Sequence, residues 1–144
     1  TVRRSGRSGL GSRTMILLDT HVWVWWVHGD SRLTQTQADR IAQAEADAIG
    51  VSIISCWEVA KLVEYGRLDL DAEIREWLSD ALSYPGITLL PLTPDIVAES
   101  TQLPGEFHRD PADQMITATA RVYQAPLLTS DEKLTRYPHV QTIE

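Results

Sequence analysis

Four acidic residues, Asp19, Glu58, Asp113 and Asp131, stand where solvation alone does not account for a carboxylate. Asp19 follows the apolar run Met15 to Leu18, and Asp131 comes just after Leu127, Leu128 and Thr129. Glu58 lies between Trp57 and Val59, with Ile54 and Leu62 one helical turn away. Asp113 shares a stripe with Ile116, Thr117 and Ala120 at the i, i+3, i+4, i+7 spacing. A carboxylate on such a face must be paired, hydrogen-bonded or bound to a cation. Two carboxylates ~5 Å apart at an effective dielectric of ~20 repel by about 3 kcal/mol, so four together need protons or cations. Oxygen donors select hard ions, which makes magnesium or manganese the expected guest. Zinc is disfavoured: His21, His28, His108 and His139 show no ligand spacing, and Cys56 stands alone.

Each acid also has a simpler explanation. Ser55, Cys56, Trp57 and Glu58 spell a capping box, in which Glu58 would satisfy a backbone amide at a helix start. Asp19, Asp110 and Asp131 can each be an ordinary N-cap, and Asp110, directly before Pro111, looks most like one. Asp113 fits this explanation least, because it falls inside the first turn. What turns caps into a site is convergence, and convergence depends on the elements that carry them.

Short apolar runs alternate with helical patterns along the chain. Strands are expected at 16–18, 49–52, 87–92, 126–129 and about 140–143, and helices at about 34–47, 56–65, 72–82, 95–102 and 111–124. The segment HVWVWWV fits a buried helix or a continued strand, and helix is the preferred reading. Thr93 before Pro94, and Asp110 before Pro111, mark helix starts, while Gly66 marks a helix end. Strands buried on both faces and joined by helices give an α/β fold, a three-layer α/β/α sandwich with a mostly parallel central sheet. Ligands bind such sheets beyond the carboxyl ends of the strands, which is where Asp19 and Asp131 fall.

A length of 144 residues makes this one domain, and 43% apolar with 23% charged residues places collagen-like, disordered and coiled-coil readings well behind. The longest uncharged apolar run, Val22 to Val27, is far short of the ~20 residues of a membrane helix. With one cysteine and no apolar signal segment, a reducing cytoplasm is the expected compartment. Residues 1–14 hold four arginines and no acid, and are expected to be a vector-derived or disordered leader ahead of a single domain over 15–144. Without that leader the formal charge deepens from −7 to −11. A nucleic-acid enzyme with that balance cannot rely on a broad basic face; it needs local cations and a bound metal.

Four stretches, MILLDTHVWVWW around Asp19, SIISCWEVAKLVEYGRL around Glu58, HRDPADQMITATA around Asp113 and LLTSDEKL around Asp131, together resemble the PIN-domain ribonucleases, and among them the VapC-type toxins of VapBC toxin–antitoxin modules. Their order and spacing span nearly all of the chain outside the leader. The resemblance implies a small α/β/α fold whose acidic quartet, Asp19, Glu58, Asp113 and Asp131, holds Mg2+ or Mn2+ and cleaves RNA. Asp110 matches a further acid of this subgroup, and Thr129 a hydroxyl residue that supports the site. The resemblance further implies a homodimer neutralised by a VapB-type antitoxin whose tail covers the acidic pocket. Gln114 is a departure, since the subgroup often has arginine there.

Metal-assisted hydrolysis would use water as the nucleophile and leave 5′-phosphate products, with no need of a 2′-hydroxyl. Lys61, Arg109 and Lys133 adjoin the acids in sequence and are candidates to meet phosphates, although solvated surface charge is the commoner role. His108, beside Asp110, is a candidate for substrate contact. Trp23, Trp25, Trp26, Trp57 and Trp77 are expected in the core or a dimer face rather than under bases. Two rival readings remain: an RNase H-like metal nuclease, whose sheet would begin with an antiparallel hairpin, and a non-catalytic acidic scaffold that binds an arginine-rich partner. A receiver domain lacks its adjacent acids here, and a dehalogenase-type phosphatase lacks its second Asp, because His21 occupies that place.

Overall fold

A computed structural model describes residues 15–44 and 46–144; the basic leader, residues 1–14, lies outside them. Five strands, β1 (Ile16–Leu18), β2 (Ile49–Ser52), β3 (Ile87–Leu90), β4 (Leu127–Leu128) and β5 (Thr142–Ile143), form one sheet in the order β3-β2-β1-β4-β5. Every pairing is parallel. Among the described residues there is no antiparallel opening hairpin of the kind the RNase H-like alternative requires, and the expected α/β architecture is the observed one.

The side-chain alternation of β1 shows how the layers form. Ile16 and Leu18 enter one apolar cluster with Val22 and Trp23 of α1 (Thr20–His28), Ile41 of α2 (Gln35–Ala42), Val59 of α3 (Ile53–Glu64), and Trp77 and Ala81 of α4 (Ile74–Leu82). Leu17, between them, enters a second cluster with Ile116 and Ala120 of α6 (Pro111–Tyr123) and Leu134 of α7 (Glu132–Thr135). Helix α5 (Pro94–Ser100) packs on α6. Gly50 in β2 leaves room where a Cβ would meet Leu90 Cδ1 at 2.9 Å. Among the described residues no helix is long and apolar enough to cross a membrane.

Local chemistry sets most boundaries where the sequence puts them. HVWVWWV is helical, Thr93 and Asp110 cap α5 and α6 ahead of proline, and Gly66 turns left-handed at φ 71° after α3. Two boundaries differ by three residues or more. Helix α2 ends at Ala42 rather than 47, and Asp47 takes a left-handed conformation at φ 61°. Helix α3 begins at Ile53 rather than 56, because Ser52 at the end of β2, and not Ser55, supplies the cap by accepting from Ile54 N at 3.1 Å. Three extra residues turn the helix so that Ser55 is buried within it, and Glu58 falls beyond the reach of any cap.

Candidate functional site

The carboxyl end of β1 runs directly into Asp19, which caps α1. Its Oδ1 accepts from Thr20 N at 2.8 Å and its Oδ2 from the Thr129 hydroxyl at 2.7 Å. At 6% exposure the side chain is nearly out of water, and that burial raises its pKa against both hydrogen bonds. Thr129, fully buried after β4, also accepts from Asp131 N at 3.1 Å, so one hydroxyl fixes two of the acids. Asp131 caps α7 by accepting from Lys133 N at 2.9 Å.

Glu58 reaches the same place from α3. Its Oε1 accepts from the Thr20 hydroxyl at 2.5 Å, and Ser55 Oγ lies 2.9 Å from that hydroxyl. Thr20 has one proton to give, so with it directed at Glu58 the Ser55 hydroxyl donates to Thr20. Burial, reinforced by the charges of Asp19, Asp113 and Asp110, pushes the Glu58 carboxyl up to about 7.

The third arm is the start of α6. Asp110 caps the helix with Oδ1, accepting from Asp113 N at 3.1 Å. Asp113, one turn in, meets His108 Nε2 at 2.6 Å through Oδ2. Burial raises the Asp113 pKa, the hydrogen bond from His108 lowers it, and Asp110 and Asp131 raise it again. Carboxylate oxygens of Glu58, Asp110 and Asp113 all lie within 4.8 Å of one another. Asp19 and Asp131 stand outside that tight trio but are coupled to it by charge. Crowded carboxylate oxygens fit a hard divalent cation.

A PIN domain family model matches residues 16–140. The chain belongs to the PIN domain family. It is 33% identical over 130 residues to the Ribonuclease VapC22 of Mycobacterium tuberculosis, covering 90% of this chain and 97% of that protein. Its fold is similar to those of the DNA-bound VapBC from Salmonella typhimurium (TM-score 0.66, 15% identity, 90% and 97% of the two chains) and a toxin–antitoxin complex from Klebsiella pneumoniae (TM-score 0.63, 19% identity, 90% and 96%). The VapBC2 from Rickettsia felis is likewise similar (TM-score 0.63, 16% identity, 90% and 98%).

In this PIN domain the choice between cap and site is not a choice. Asp19, Asp110 and Asp131 each cap a helix with one oxygen and keep the other for the crevice or its supports. For Glu58 the capping-box reading fails, since the helix starts three residues earlier. Sequence reasoning missed Thr20 and Ser55, and it offered His108 as a substrate contact without foreseeing its bond to Asp113. Adjacency to Asp19 and a five-residue offset from Asp113 were the available signals. Gln114 donates to His108 O at 3.1 Å, so the residue standing where arginine is frequent steadies the loop that carries His108. Trp23 and Trp77 are buried as expected and meet edge-to-face at 5.1 Å. Trp57 is the exception at 52% exposure, with Lys61 Nζ 5.9 Å above its ring.

Proposed function

We infer that this PIN domain is a divalent-metal-dependent endoribonuclease, the toxin of a toxin–antitoxin module. The observation that carries the reading is the meeting of acids from β1, α3, the start of α6 and the turn after β4 at the carboxyl ends of parallel strands, three of them with oxygens within 4.8 Å. The kinship with a ribonuclease over nearly the whole chain supports the same activity. An acidic scaffold for an arginine-rich partner would need neither two threonine hydroxyls fixing individual carboxylate oxygens nor a half-buried Glu58 held near neutrality.

Asp19, Glu58, Asp113 and Asp131 would hold Mg2+ or Mn2+, and Asp110 joins them through its uncapped oxygen. When bound, the ion brings the pKa of a coordinated water toward neutrality and offsets charge on the phosphoryl group. The protein's part is positioning. Thr129 fixes Asp19 Oδ2, Thr20 fixes Glu58 Oε1, and His108 fixes Asp113 Oδ2, so each of these three carboxylates is oriented by a neighbour. The Glu58 carboxyl, near 7 without metal, is the group best placed to give up or take a proton at working pH. A cytoplasmic location, a homodimer and a VapB-type antitoxin whose basic tail complements the crevice complete the proposal. The complexes among its structural neighbours support the partner.

The test is incubation of the chain with transfer and ribosomal RNA plus manganese, with and without chelator, followed by end mapping. Discrete products with 5′-phosphate ends that vanish with chelator are expected. Intact RNA across varied substrates, or cleavage indifferent to chelator, overturns the reading.

A further inference from the structure

Positive charge is scarce on this chain, and where it stands unpaired is informative. Arg32, Lys61, Arg75, Arg121 and Arg136 each pair with a carboxylate. Arg40, Arg67, Arg109 and Lys133 make no ion pair among the described residues. Arg109 and Lys133 adjoin Asp110 and Asp131 in sequence, but Arg67 is far along the chain from any of the acids that meet in the crevice.

The end of α3 places it on a cleft shared with α1. After α3, Gly66 in the left-handed region lets Gly66 N return to Val63 O at 3.0 Å and Arg67 N to Leu62 O at 2.8 Å, a Schellman turn that fixes the backbone of Arg67. After α1, Gly29 does the same, with Gly29 N on Trp26 O and Asp30 N on Trp25 O. The two turns face each other across a cleft of about 140 Å³ lined by His21, Trp25, His28, Arg32, Leu62 and Arg67 among others. Arg32 is held there in a fork by Asp30 at 3.1 and 2.7 Å, with its guanidinium carbon 5.3 Å from the Trp25 ring centre. His28 Nε2 accepts from Trp77 Nε1 at 2.9 Å, which places its proton on Nδ1. His21 directly follows Thr20, and Leu62 lies one turn beyond Glu58, so one side of the cleft adjoins the Thr20–Glu58 pair, while Arg67 stands nine residues past Glu58.

We propose that this cleft between α1 and the end of α3 is a phosphate subsite for the RNA strand, in which Arg67 holds a backbone phosphate a few positions from the bond that is cut. The inference rests on the ribonuclease reading and deepens it. From Glu58 to the end of α3 at Glu64 is six residues, about 9 Å of helix, a length comparable with two to three nucleotides at ~3.4 Å each. A protein of formal charge −7 without a broad basic face has to hold a polyanion at such points, and an arginine with no internal partner loses no ion pair in doing so.

The probe is a fluorescein-labelled, mixed-sequence single-stranded RNA of about a dozen nucleotides. Its binding is followed by anisotropy from about 50 to about 200 mM salt on an Asp113→Asn background, and its cleavage with manganese on the otherwise unaltered chain. Arg67→Ala is expected to weaken binding about three- to ten-fold, flatten the logarithmic salt slope by about 0.7, and raise KM with kcat little changed. Arg67→Lys is expected to restore the slope, and the melting temperature to stay put, because the side chain is exposed. Unchanged affinity and slope in Arg67→Ala, while the parent binds and cleaves, overturns the subsite and leaves the ribonuclease standing. Weaker binding that comes only with a lower melting temperature overturns it as well. A parent chain that neither binds nor cleaves RNA overturns both.

Discussion

At the N-terminus of α1 the chain buries Asp19 and Thr20; three residues on, it buries Trp23 against Trp77. In the crevice the buried oxygens are hydrogen-bonded in sequence, Ser55 to Thr20 to Glu58 on one side and Thr129 to Asp19 on the other. In the aromatic interior the Trp23 Nε1 donor is buried with no partner at all. The interior tolerates that donor, at about 1 to 3 kcal/mol, because a large ring buried on all sides gains more than the loss. The crevice tolerates like charges because each carboxylate is satisfied at one oxygen. One region is apolar and well packed with a polar defect; the other is polar and well bonded with an electrostatic defect. Only the second kind of defect can be relieved by a ligand.

The comparison predicts that substitutions in the two regions separate stability from activity. Trp23→Ala should show the largest effect, a loss of about 3 to 5 kcal/mol in urea unfolding, with RNA cleavage per folded molecule unchanged. Cleavage falling further than the folded fraction would break the separation. Asp113→Asn should do the reverse. Metal-dependent cleavage falls about 10²-fold or more, while the melting temperature without metal holds or rises, since one charge leaves the group and an oxygen remains for His108. A drop of several degrees would return Asp113 to a structural role.

Much of this was legible in the sequence, and the failures have physical causes. Strand-helix alternation and proline-marked caps located β1, α5 and α6, because their signals are local: a run of apolar residues, or a hydroxyl or carboxylate before proline. The start of α3 was misplaced because Ser52 and Ser55 are equally good caps by type, and only the register of β2 against β3 decides that the strand stops at Ser52. The four acids stood out because a carboxylate is conspicuous in an apolar run, but the tight trio takes Asp110 with Glu58 and Asp113 and leaves Asp19 and Asp131 outside it. Thr20, Ser55 and the bond from His108 did not stand out, since a hydroxyl or an imidazole gives no such signal, and what assigns their roles is proximity across 35 or more residues for Thr20 and a loop trajectory for His108. Asp110 was read as a cap and is one; a single carboxylate has two oxygens, and a cap uses only the first.

A smaller effect tests the hydroxyls that make the crevice well bonded. Thr129→Val leaves Asp19 Oδ2 without its donor and Asp131 N without its acceptor. Losing a bond that favours the ionised form raises the Asp19 pKa further, so protons compete better with metal. Cleavage is expected to fall about 10- to 100-fold and its pH profile to move to higher pH, with about 1 kcal/mol lost in stability. Thr129→Ser should restore the profile. If the valine variant lost activity with its pH profile unmoved, the hydroxyl would be acting through packing alone.

The smallest effect is the sharpest, because its sign is opposite to that of most buried substitutions. Without metal the Glu58 carboxyl sits near 7 in the fold against an ordinary 4.5, so between those values the folded chain binds more protons than the unfolded one. The stabilisation is complete below 4.5 and is lost as pH rises through 7. Discounted for a side chain that is only partly buried, the loss is about 1 to 2 kcal/mol. Glu58→Gln stays neutral and keeps an oxygen for the Thr20 hydroxyl, so in chelator it should match the parent at pH 5 and exceed it by that amount at pH 8. Asp19 and Asp113, also raised, leave the variant a residual slope of the same sign. Manganese should reverse the ranking at pH 8 by binding the ionised parent, and do little at pH 5, where protons hold the site. Melting curves at the two pH values, with and without the ion, read all four numbers. If parent and variant ran parallel in chelator, the crevice would not be storing the repulsion that a metal is needed to relieve.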